Sequence, residues 1–265
     1  MRIFISIVSF ALFALAAGAQ AEVIYSTGFE SLPFETGQTI NGRGGFLVAV
    51  GNPAALLVTS SNPHGGTQGL TAFGAQLTGS DGFVQAAGTI NPNYDAIANH
   101  NPIITLETWA RLDGPSTNTG NGTLDDLVSI NLDALLTDNS YFSTFLSSDG
   151  QAYGYFDNDY VFSGPAALGQ YHDLKLVLDF GRGTSTYIVD NQPLGTLTFD
   201  STTVQSTLIT NAEISMNAFT PPLVDPANYT GYADDFSVIA TPEPAIALLL
   251  LAPIGLRTRR RSRLR

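Results

Sequence analysis

The sequence predicts an all-β protein folded as a single sandwich or barrel. Short runs of β-branched and aromatic residues alternate with Gly, Asn, Asp and Pro turns, and no stretch longer than about ten residues keeps a helical period. Hydrophobic residues make up 44% of the 265 residues and charged residues 13%, a composition that excludes coiled coils and disordered chains. Cys is absent, which excludes disulfides, thiolate metal sites and Cys nucleophiles.

The first 21 residues have the pattern of a signal peptide. Arg2 precedes an apolar stretch, Ile3 to Ala17, and Ala19-Gln20-Ala21 is a small-x-small cleavage site. Residues 1–21 are therefore expected to direct export, with Glu22 as the first mature residue. The alternative, an uncleaved anchor helix, needs about 20 apolar residues, and this stretch is shorter.

Residues 241–265 form a separate segment at the other end of the chain. Pro242-Glu243-Pro244 is followed by twelve apolar residues, 245–256, and then by six Arg within the last nine residues. As a helix, the apolar run is about 18 Å long, against roughly 30 Å of hydrocarbon in a bilayer, so we expect a short membrane helix that anchors only transiently. The Arg cluster would stay on the cytoplasmic side.

These C-terminal features together resemble the PEP-CTERM sorting signal of Gram-negative bacteria. The resemblance covers residues 241–265. It implies that an exosortase-type processing protease cuts near Pro242 to Pro244 after transient anchoring in the inner membrane. It also implies release to the cell surface or to an extracellular polysaccharide matrix. Fold and ligand vary widely among proteins with this signal, so it predicts a destination and not an activity.

The intervening segment, residues 22–240, is expected to be one strongly acidic domain. It has four basic and 22 acidic side chains, a net charge of −18. Such a field disfavours nucleic acid, anionic lipid and polyanionic glycans as partners, and favours divalent cations and neutral or cationic surfaces. The C-terminal Arg cluster does not indicate nucleic-acid binding, because an exported chain does not meet the genome.

Fourteen strands are predicted in this domain, each a run of apolar or alternating residues bounded by turn residues. A short helical turn is expected near Asn93 to Ala98. In order, the predicted strands are Val23 to Phe29, Gly45 to Val50, Ala55 to Ser60, Gly69 to Phe73, Gly82 to Ala87, Ile103 to Leu112, Asp126 to Leu132, Tyr141 to Ser147, Gln151 to Phe156, Tyr171 to Phe180, Thr184 to Asp190, Gly195 to Phe199, Ala212 to Ala218 and Tyr232 to Ile239.

The clearest strand carries a stripe of leucines. Leu174, Leu176 and Leu178 alternate with mostly polar residues, among them Asp173 and Lys175. This period of two predicts a half-buried strand with the leucines in the core and the polar side chains in solvent. Gly181-Arg182-Gly183 then predicts a three-residue hairpin turn.

Three segments resemble the laminin-G-like and concanavalin-A-like jelly-roll domains. They are the hairpin of residues 171–199, the opening strand Ser26 to Glu30 and the closing strand Tyr232 to Val238. The resemblance implies an antiparallel jelly-roll β-sandwich whose first and last strands lie side by side. Asn191 stands where Gly is usual, and Tyr171-His172 where Trp is frequent, so the subfamily stays unassigned.

The same resemblance brings Glu30 close to Asp234 and Asp235, where many relatives hold a structural calcium. Ca²⁺ takes 6 to 8 oxygen ligands, and backbone carbonyls complete such a shell. The alternative is that Asp234 accepts hydrogen bonds from backbone amides and Asp235 is solvated. Both interpretations remain open. Asp157-Asn158-Asp159 also alternates like calcium ligands, but turn chemistry explains it better.

Catalytic motifs are missing from the sequence, so we expect a protein that is not an enzyme. Laminarinase-like members of the jelly-roll superfold place three acids on one strand as E-x-D-x-x-E, and no such run occurs. Glu107 and Trp109 are the nearest candidate for a sugar-facing pair, although a core position for Trp109 is the alternative. There is no G-x-S-x-G, and the three His have no metal-binding spacing.

A glycan-binding platform is the best-supported functional expectation. Four Tyr lie on or next to two neighbouring predicted strands, with Asp157 and Asp159 beside them; they are Tyr141, Tyr153, Tyr155 and Tyr160. Trp109 is a further candidate. The alternative is that these rings fill the core. The sequence thus predicts a secreted, non-catalytic surface or matrix protein that contacts glycan, with a purely structural matrix protein as the alternative and a glycan hydrolase or lyase as a third.

Overall fold

The computed structural model describes residues 20–80, 83–116, 127–157, 159–219 and 225–243. Nearly all of the predicted signal peptide and the sorting signal from Pro244 onward lie outside the described residues. In the described part of the chain, no helix is both long and apolar enough to span a bilayer.

The described residues form seventeen β-strands and three short 3-10 turns. The turns are Pro53–Ala55, Gly74–Gln76 and Pro226–Asn228. The strands are β1 Glu22–Thr27, β2 Leu47–Val50, β3 Leu56–Thr59, β4 Gly69–Phe73, β5 Thr78–Ser80, β6 Phe83–Ile90, β7 Tyr94–Asp95, β8 Ile103–Asp113, β9 Val128–Leu136, β10 Tyr141–Ser147, β11 Gln151–Phe156, β12 Asp159–Pro165, β13 His172–Asp179, β14 Thr184–Val189, β15 Gln192–Thr198, β16 Leu208–Phe219 and β17 Thr230–Thr241.

These strands form two antiparallel sheets that pack face to face as a jelly-roll sandwich, as predicted. Sheet A has the order β15-β14-β13-β8-β17-β4-β3, with β1 also paired to β17. Sheet B has the order β12-β11-β10-β9-β16-β6-β2, with β5 on β6 and β7 on β16. The first and last strands are neighbours, with Glu22 opposite Ala240 and Thr27 opposite Phe236.

The core lies between the sheets because most strands alternate one inward apolar residue with one outward residue. In β8 the burial alternates along all eleven residues, so that Ile104, Leu106 and Leu112 are buried. Large rings, among them Phe142 and Phe236, are fully enclosed. Each such side chain contributes about 1.5–3 kcal/mol by leaving water, which explains why a chain without disulfides can hold this fold.

The leucine stripe of β13 is confirmed, but its opposite face is not solvated. Leu174, Leu176 and Leu178 are fully buried, whereas Asp173, expected in solvent, is only 2% exposed. Lys175 Nζ lies 2.7 Å from Asp173 Oδ2 and 3.2 Å from Glu107 Oε1. The expectation failed because β13 is an interior strand between β8 and β14, so neighbouring side chains cover its outer face.

Three strands were not predicted, β5, β7 and β12. The expected helical turn near Asn93 to Ala98 is present in part: β7 takes Tyr94 and Asp95, and the turn that follows has a helical bond from the Asn99 amide to the Asp95 carbonyl oxygen. Asp95 Oδ1 accepts the amides of Ile97 and Ala98, as a helix N-cap does. Strand β17 runs to Thr241, one residue past the expected end of the domain.

Candidate functional site

A cavity of about 500 Å³ lies on the outer face of sheet B. Its lining comes from β6, β16, β9, β10, β11 and β12, six strands that are consecutive in the sheet, and from adjoining turn residues. At about 4.8 Å between strands, the cavity crosses roughly 24 Å of sheet. We call it the cross-strand groove. This length suits an oligomeric ligand better than a single small molecule.

One side of the groove is a wall of aromatic rings, Tyr141, Phe145, Tyr155 and Tyr160. The ring centroids of Tyr155 and Tyr160 are 5.2 Å apart, those of Tyr141 and Tyr155 5.8 Å apart, and those of Phe145 and Tyr160 5.9 Å apart. All three pairs meet edge to face. Such a wall lines the groove with apolar ring surface and with the hydroxyl groups of three Tyr.

The wall follows from the alternation along β11. Tyr153 and Tyr155 point outward, while Ala152, Gly154 and Phe156 are buried. Gly154 is required at its position because a Cβ there would lie 2.6 Å from Cγ of Tyr187 in the facing sheet. The sequence YGYF therefore presents two Tyr to the outside while letting the sheets approach closely.

The floor of the groove is polar because the central strands place hydrophilic residues outward. In β9, Ser129 and Asn131 line the cavity and alternate with the core residues Ile130 and Leu132. Asn217 of β16 lines it as well. The Oδ1 atoms of Asn131 and Asn217 are buried and have no hydrogen-bond donor within reach. Buried acceptors are normally satisfied, so these two oxygens need a donor, which a water molecule or a ligand would supply.

Two acids face each other next to this floor. Asp133 of β9 is directly opposite Glu213 of β16 in the strand register and opposite Ser143 of β10. Asp133 is 1% exposed, and Ser215 Oγ donates to its Oδ2 at 2.6 Å. Glu213 Oε1 accepts from Thr89 Oγ1 at 3.0 Å.

Burial controls the titration of this pair. It raises the pKa of Asp133 to about 7, helped by the negative charge of Glu213, although nearby hydroxyls oppose the shift. Burial also raises the pKa of Glu213. The pKa of Tyr141 is raised well above its usual value, by burial and then by the charge of Asp133. Near neutral pH the site therefore holds a carboxyl group that is poised between its charged and neutral forms.

The structure brings together only part of the predicted glycan site. Tyr155, Asp157 and Tyr160 line the groove. Tyr153 stacks next to them on Phe145, and its hydroxyl donates to Asp149 at 2.6 Å.

The remaining two candidates lie apart from the groove. Asp159 is exposed at the start of β12 and does not line it. Trp109 is on the outer face of sheet A, where its ring stacks on His64 at 3.9 Å between centroids. Trp109 is therefore not in the core; it shares the outer face of sheet A with Glu107, as the pairing of these two residues predicted, because odd-numbered residues of β8 face away from the core.

Several residues were missed, namely Phe83, Asn131 and Asn217 of the groove lining and the neighbouring acids Asp133 and Glu213. The signal was present in β9, where small and polar residues alternate with Ile130 and Leu132. It identifies a half-buried strand but not its partner. Only the register, which sets Glu213 opposite Asp133, shows that two distant parts of the chain meet here.

The predicted calcium residues converge where β1 leaves β17. A Cβ at Gly28 would lie 3.1 Å from Asp235 Oδ1, 3.8 Å from Glu30 Cγ and 3.9 Å from Asp234 Oδ1. The Glu30 carboxylate accepts from the amides of Thr67 and Gln68 at 2.8–2.9 Å. These amides, led by that of Gln68, lower the pKa of Glu30.

Asp234 shows the contacts of the alternative interpretation. Its Oδ2 accepts from the amides of His64 and Gly65, both at 3.1 Å, and its Oδ1 accepts from the amide of Asp235 at 2.9 Å. Burial nevertheless raises the pKa of Asp234 to about 6. Among the residues that the structure describes, no group of three or more His, Asp or Glu side chains is arranged to hold a metal ion. Calcium binding at Glu30, Asp234 and Asp235 stays a prediction.

The other acidic turn has a structural role. Asp157 adopts φ +42°, and its Oδ1 accepts the amide of Tyr141 at 2.9 Å. It thereby fixes the β11–β12 turn against the start of β10. His172 is likewise structural, since its Nδ1 lies 2.7 Å from Asp190 and its Nε2 lies 3.0 Å from the carbonyl oxygen of Ala167.

No protein-family model and no curated protein matches the chain. Solved structures of similar shape include a GH131 β-glucanase catalytic domain from Podospora anserina, with 12% identity, TM-score 0.48, and coverage of 74% of this chain and 84% of that one. Another is the carbohydrate recognition domain of Emp47p, with 12% identity, TM-score 0.44, and coverage of 83% and 97%.

A sialidase has 11% identity and TM-score 0.39, over 70% of this chain, which spans only 17% of that protein. At this level the likeness concerns the arrangement of strands and says nothing about chemistry.

Proposed function

We propose that this protein is a secreted glycan-binding protein of the cell surface or extracellular matrix, and that the cross-strand groove holds an oligosaccharide without catalysis. One observation carries the proposal: the groove combines an aromatic wall with buried carboxamide oxygens that lack donors. Sugars present apolar ring faces and hydroxyl donors side by side, so both halves of the groove find a partner. The cavity also has the size of a ligand site.

The route to the surface rests on the two ends of the sequence. The proposal includes export by residues 1–21 and transient anchoring in the inner membrane through the short C-terminal helix. An exosortase-type protease then acts at Pro242, Glu243 and Pro244. Strand β1 begins at Glu22, the residue expected to follow signal cleavage, so removal of the leader leaves the described sandwich whole.

A glycan array with matched variants tests the binding function. The full chain is incubated with neutral, amino and acidic oligosaccharides, and retained sugars are then titrated by calorimetry. Tyr155→Ala removes a ring from the groove and is expected to weaken binding by about ten- to a hundredfold, the effect of losing an aromatic contact of about 1.4–2.8 kcal/mol. Trp109→Ala removes a half-buried ring from the opposite sheet and is the matched control.

Three outcomes distinguish the alternatives. Binding lost in Tyr155→Ala and kept in Trp109→Ala supports the groove. The reverse pattern would move the site to sheet A. Retention of no sugar would overturn the proposal and favour a purely structural matrix protein.

The facing acids favour one second candidate. Glycoside hydrolysis requires two carboxyl groups at the scissile bond, and Asp133 and Glu213 are neighbours in the strand register beside the groove. Release of new reducing ends during incubation with a retained glycan would establish a hydrolase. Unchanged glycan chain length would leave binding as the function.

A further inference from the structure

The cross-strand groove carries negative charge and no basic side chain. Asp157 lines it, and Asp133 and Glu213 lie in the adjoining row of the sheet. The basic residues of the domain all lie elsewhere. Arg111 and Lys175 are on the outer face of sheet A, and Arg182 and Arg43 are in turns before β14 and β2.

Two carboxamide groups of the floor also favour a ligand that donates hydrogen bonds. Asn131 and Asn217 are 5% and 7% exposed, and in each the oxygen that only accepts is the atom without a partner. A uronic acid would add acceptors and negative charge to a site that already has an excess of both. A neutral sugar brings donors but leaves the carboxylates without a counter-charge. An ammonium group brings three donors and a positive charge.

The aromatic wall suits a cation as well. Ring faces attract ammonium groups within about 6 Å, and the attraction is stronger in partly desolvated sites. Tyr141, Tyr155 and Tyr160 are grouped at 5.2–5.8 Å between successive centroids. A sugar stacked on this wall would place its substituents near the acidic row, because Tyr155, Ser143 and Asp133 follow one another across the register.

We infer that the groove selects a glycan with free amino groups, such as a polymer containing deacetylated amino-sugar units. The ammonium groups pair with Asp157, which lines the groove, and with the partly exposed Glu213 beside its floor, and the sugar rings stack on the Tyr wall. The net charge of −18 on residues 22–240 would also draw a cationic polymer toward the protein. This inference rests on the proposed glycan-binding function and adds the class of sugar.

Calorimetry on the full chain tests the inference with oligosaccharides of equal length. The probes are a glucosamine oligomer, its fully N-acetylated counterpart and a neutral glucose oligomer. The free-amine oligomer is expected to bind at least about tenfold more tightly than the other two, the usual effect of one charge-assisted hydrogen bond. Added salt should reduce this preference.

Charge-removing variants locate the effect. Glu213→Gln and Asp157→Asn keep the size of the side chain and should each lower the preference for the amine about tenfold. Glu107→Gln, a half-buried carboxylate on sheet A, is the matched control and should leave it unchanged. The thermal melt of each variant shows whether it is folded.

The outcomes distinguish a failure of the amino-sugar inference from a failure of the proposed glycan-binding function. Equal binding of all three oligomers that still depends on Tyr155 would overturn the amino-sugar inference and leave glycan binding intact. Amine binding that survives both groove variants and Tyr155→Ala would also overturn it, because the acidic surface in general would then be the cause. No binding of any oligomer would overturn both proposals.

Discussion

Replacing Asp133 by Asn tests whether a carboxyl group is held buried beside the groove. The substitution keeps the size of the side chain and leaves an oxygen that can accept the bond from Ser215 Oγ. It removes the capacity to ionise and replaces the other oxygen by an NH2 group. The unfolding free energy of the variant should therefore differ from that of the natural protein in its dependence on pH.

The size and sign of the effect follow from the pKa of Asp133, which folding raises from 3.8 to about 7. Between these values the folded state holds a proton that the unfolded state has lost, so stability falls as pH rises. One pKa unit corresponds to about 1.36 kcal/mol, and pH 5 lies about two units below the folded-state pKa. Between pH 5 and pH 8 the unfolding free energy of the natural protein should therefore fall by about 3 kcal/mol more than that of the variant.

Urea unfolding of both proteins at pH 5 and pH 8 measures the difference. The readout is the change with pH in the gap between the two unfolding free energies. Ser215→Ala is a matched second variant. It removes a donor that stabilises the charged carboxylate, so the pKa of Asp133 should rise further, and the fall in unfolding free energy with pH should continue to higher pH than in the natural protein. Parallel pH profiles for the natural protein and Asp133→Asn would refute the buried carboxyl group and weaken the electrostatic case for the groove.

Three further predictions concern the core, calcium and processing. Leu176→Ala should lower the unfolding free energy by about 2–5 kcal/mol because it leaves a cavity, whereas Val177→Ala, next to it on the outer face, should lower it by about 1 kcal/mol or less. Equal losses for the two variants in urea unfolding would contradict the strand assignment. Calcium at 100 times its Kd should add about 2.7 kcal/mol to the unfolding free energy and so raise the melting temperature, and Asp234→Asn should abolish this rise. Identical melting temperatures in EDTA and in calcium would favour the interpretation in which Asp234 only accepts backbone amides. The intact mass of the surface-released protein should correspond to a chain without the first 21 residues and without everything beyond about Pro244. A mass that includes the Arg-rich C-terminal peptide would contradict processing.

The sandwich was predictable because alternation and turn residues are local properties of the chain. Tyr141–Ser147, Gln151–Phe156 and Gly69–Phe73 have the predicted bounds, since each is a short apolar or alternating run. Strand β12 was missed because it follows β11 after a turn of two residues and is only partly buried. Asp173 was placed in solvent because the period of two shows which side a residue takes, and not what covers that side.

The groove was only partly predictable for a related reason. The Tyr residues of β11 and β12 are close in sequence, so their proximity followed from a hairpin. Asp133 and Glu213 are eighty residues apart and meet only because β9 pairs with β16. That pairing depends on the order of strands in the sheet, a long-range property that no local pattern in either segment specifies.

The pairing of β1 with β17 has a practical consequence. Since Glu22 is opposite Ala240, the two ends of the sandwich leave it side by side, both from sheet A, while the groove opens on the far face of sheet B. A support, a reporter or a second protein fused at either terminus would thus be attached at the same end of sheet A and away from the groove. The ends could also be joined by a linker of a few residues and the chain reopened at the Asp190-Asn191 turn, giving a circular permutant with the same groove.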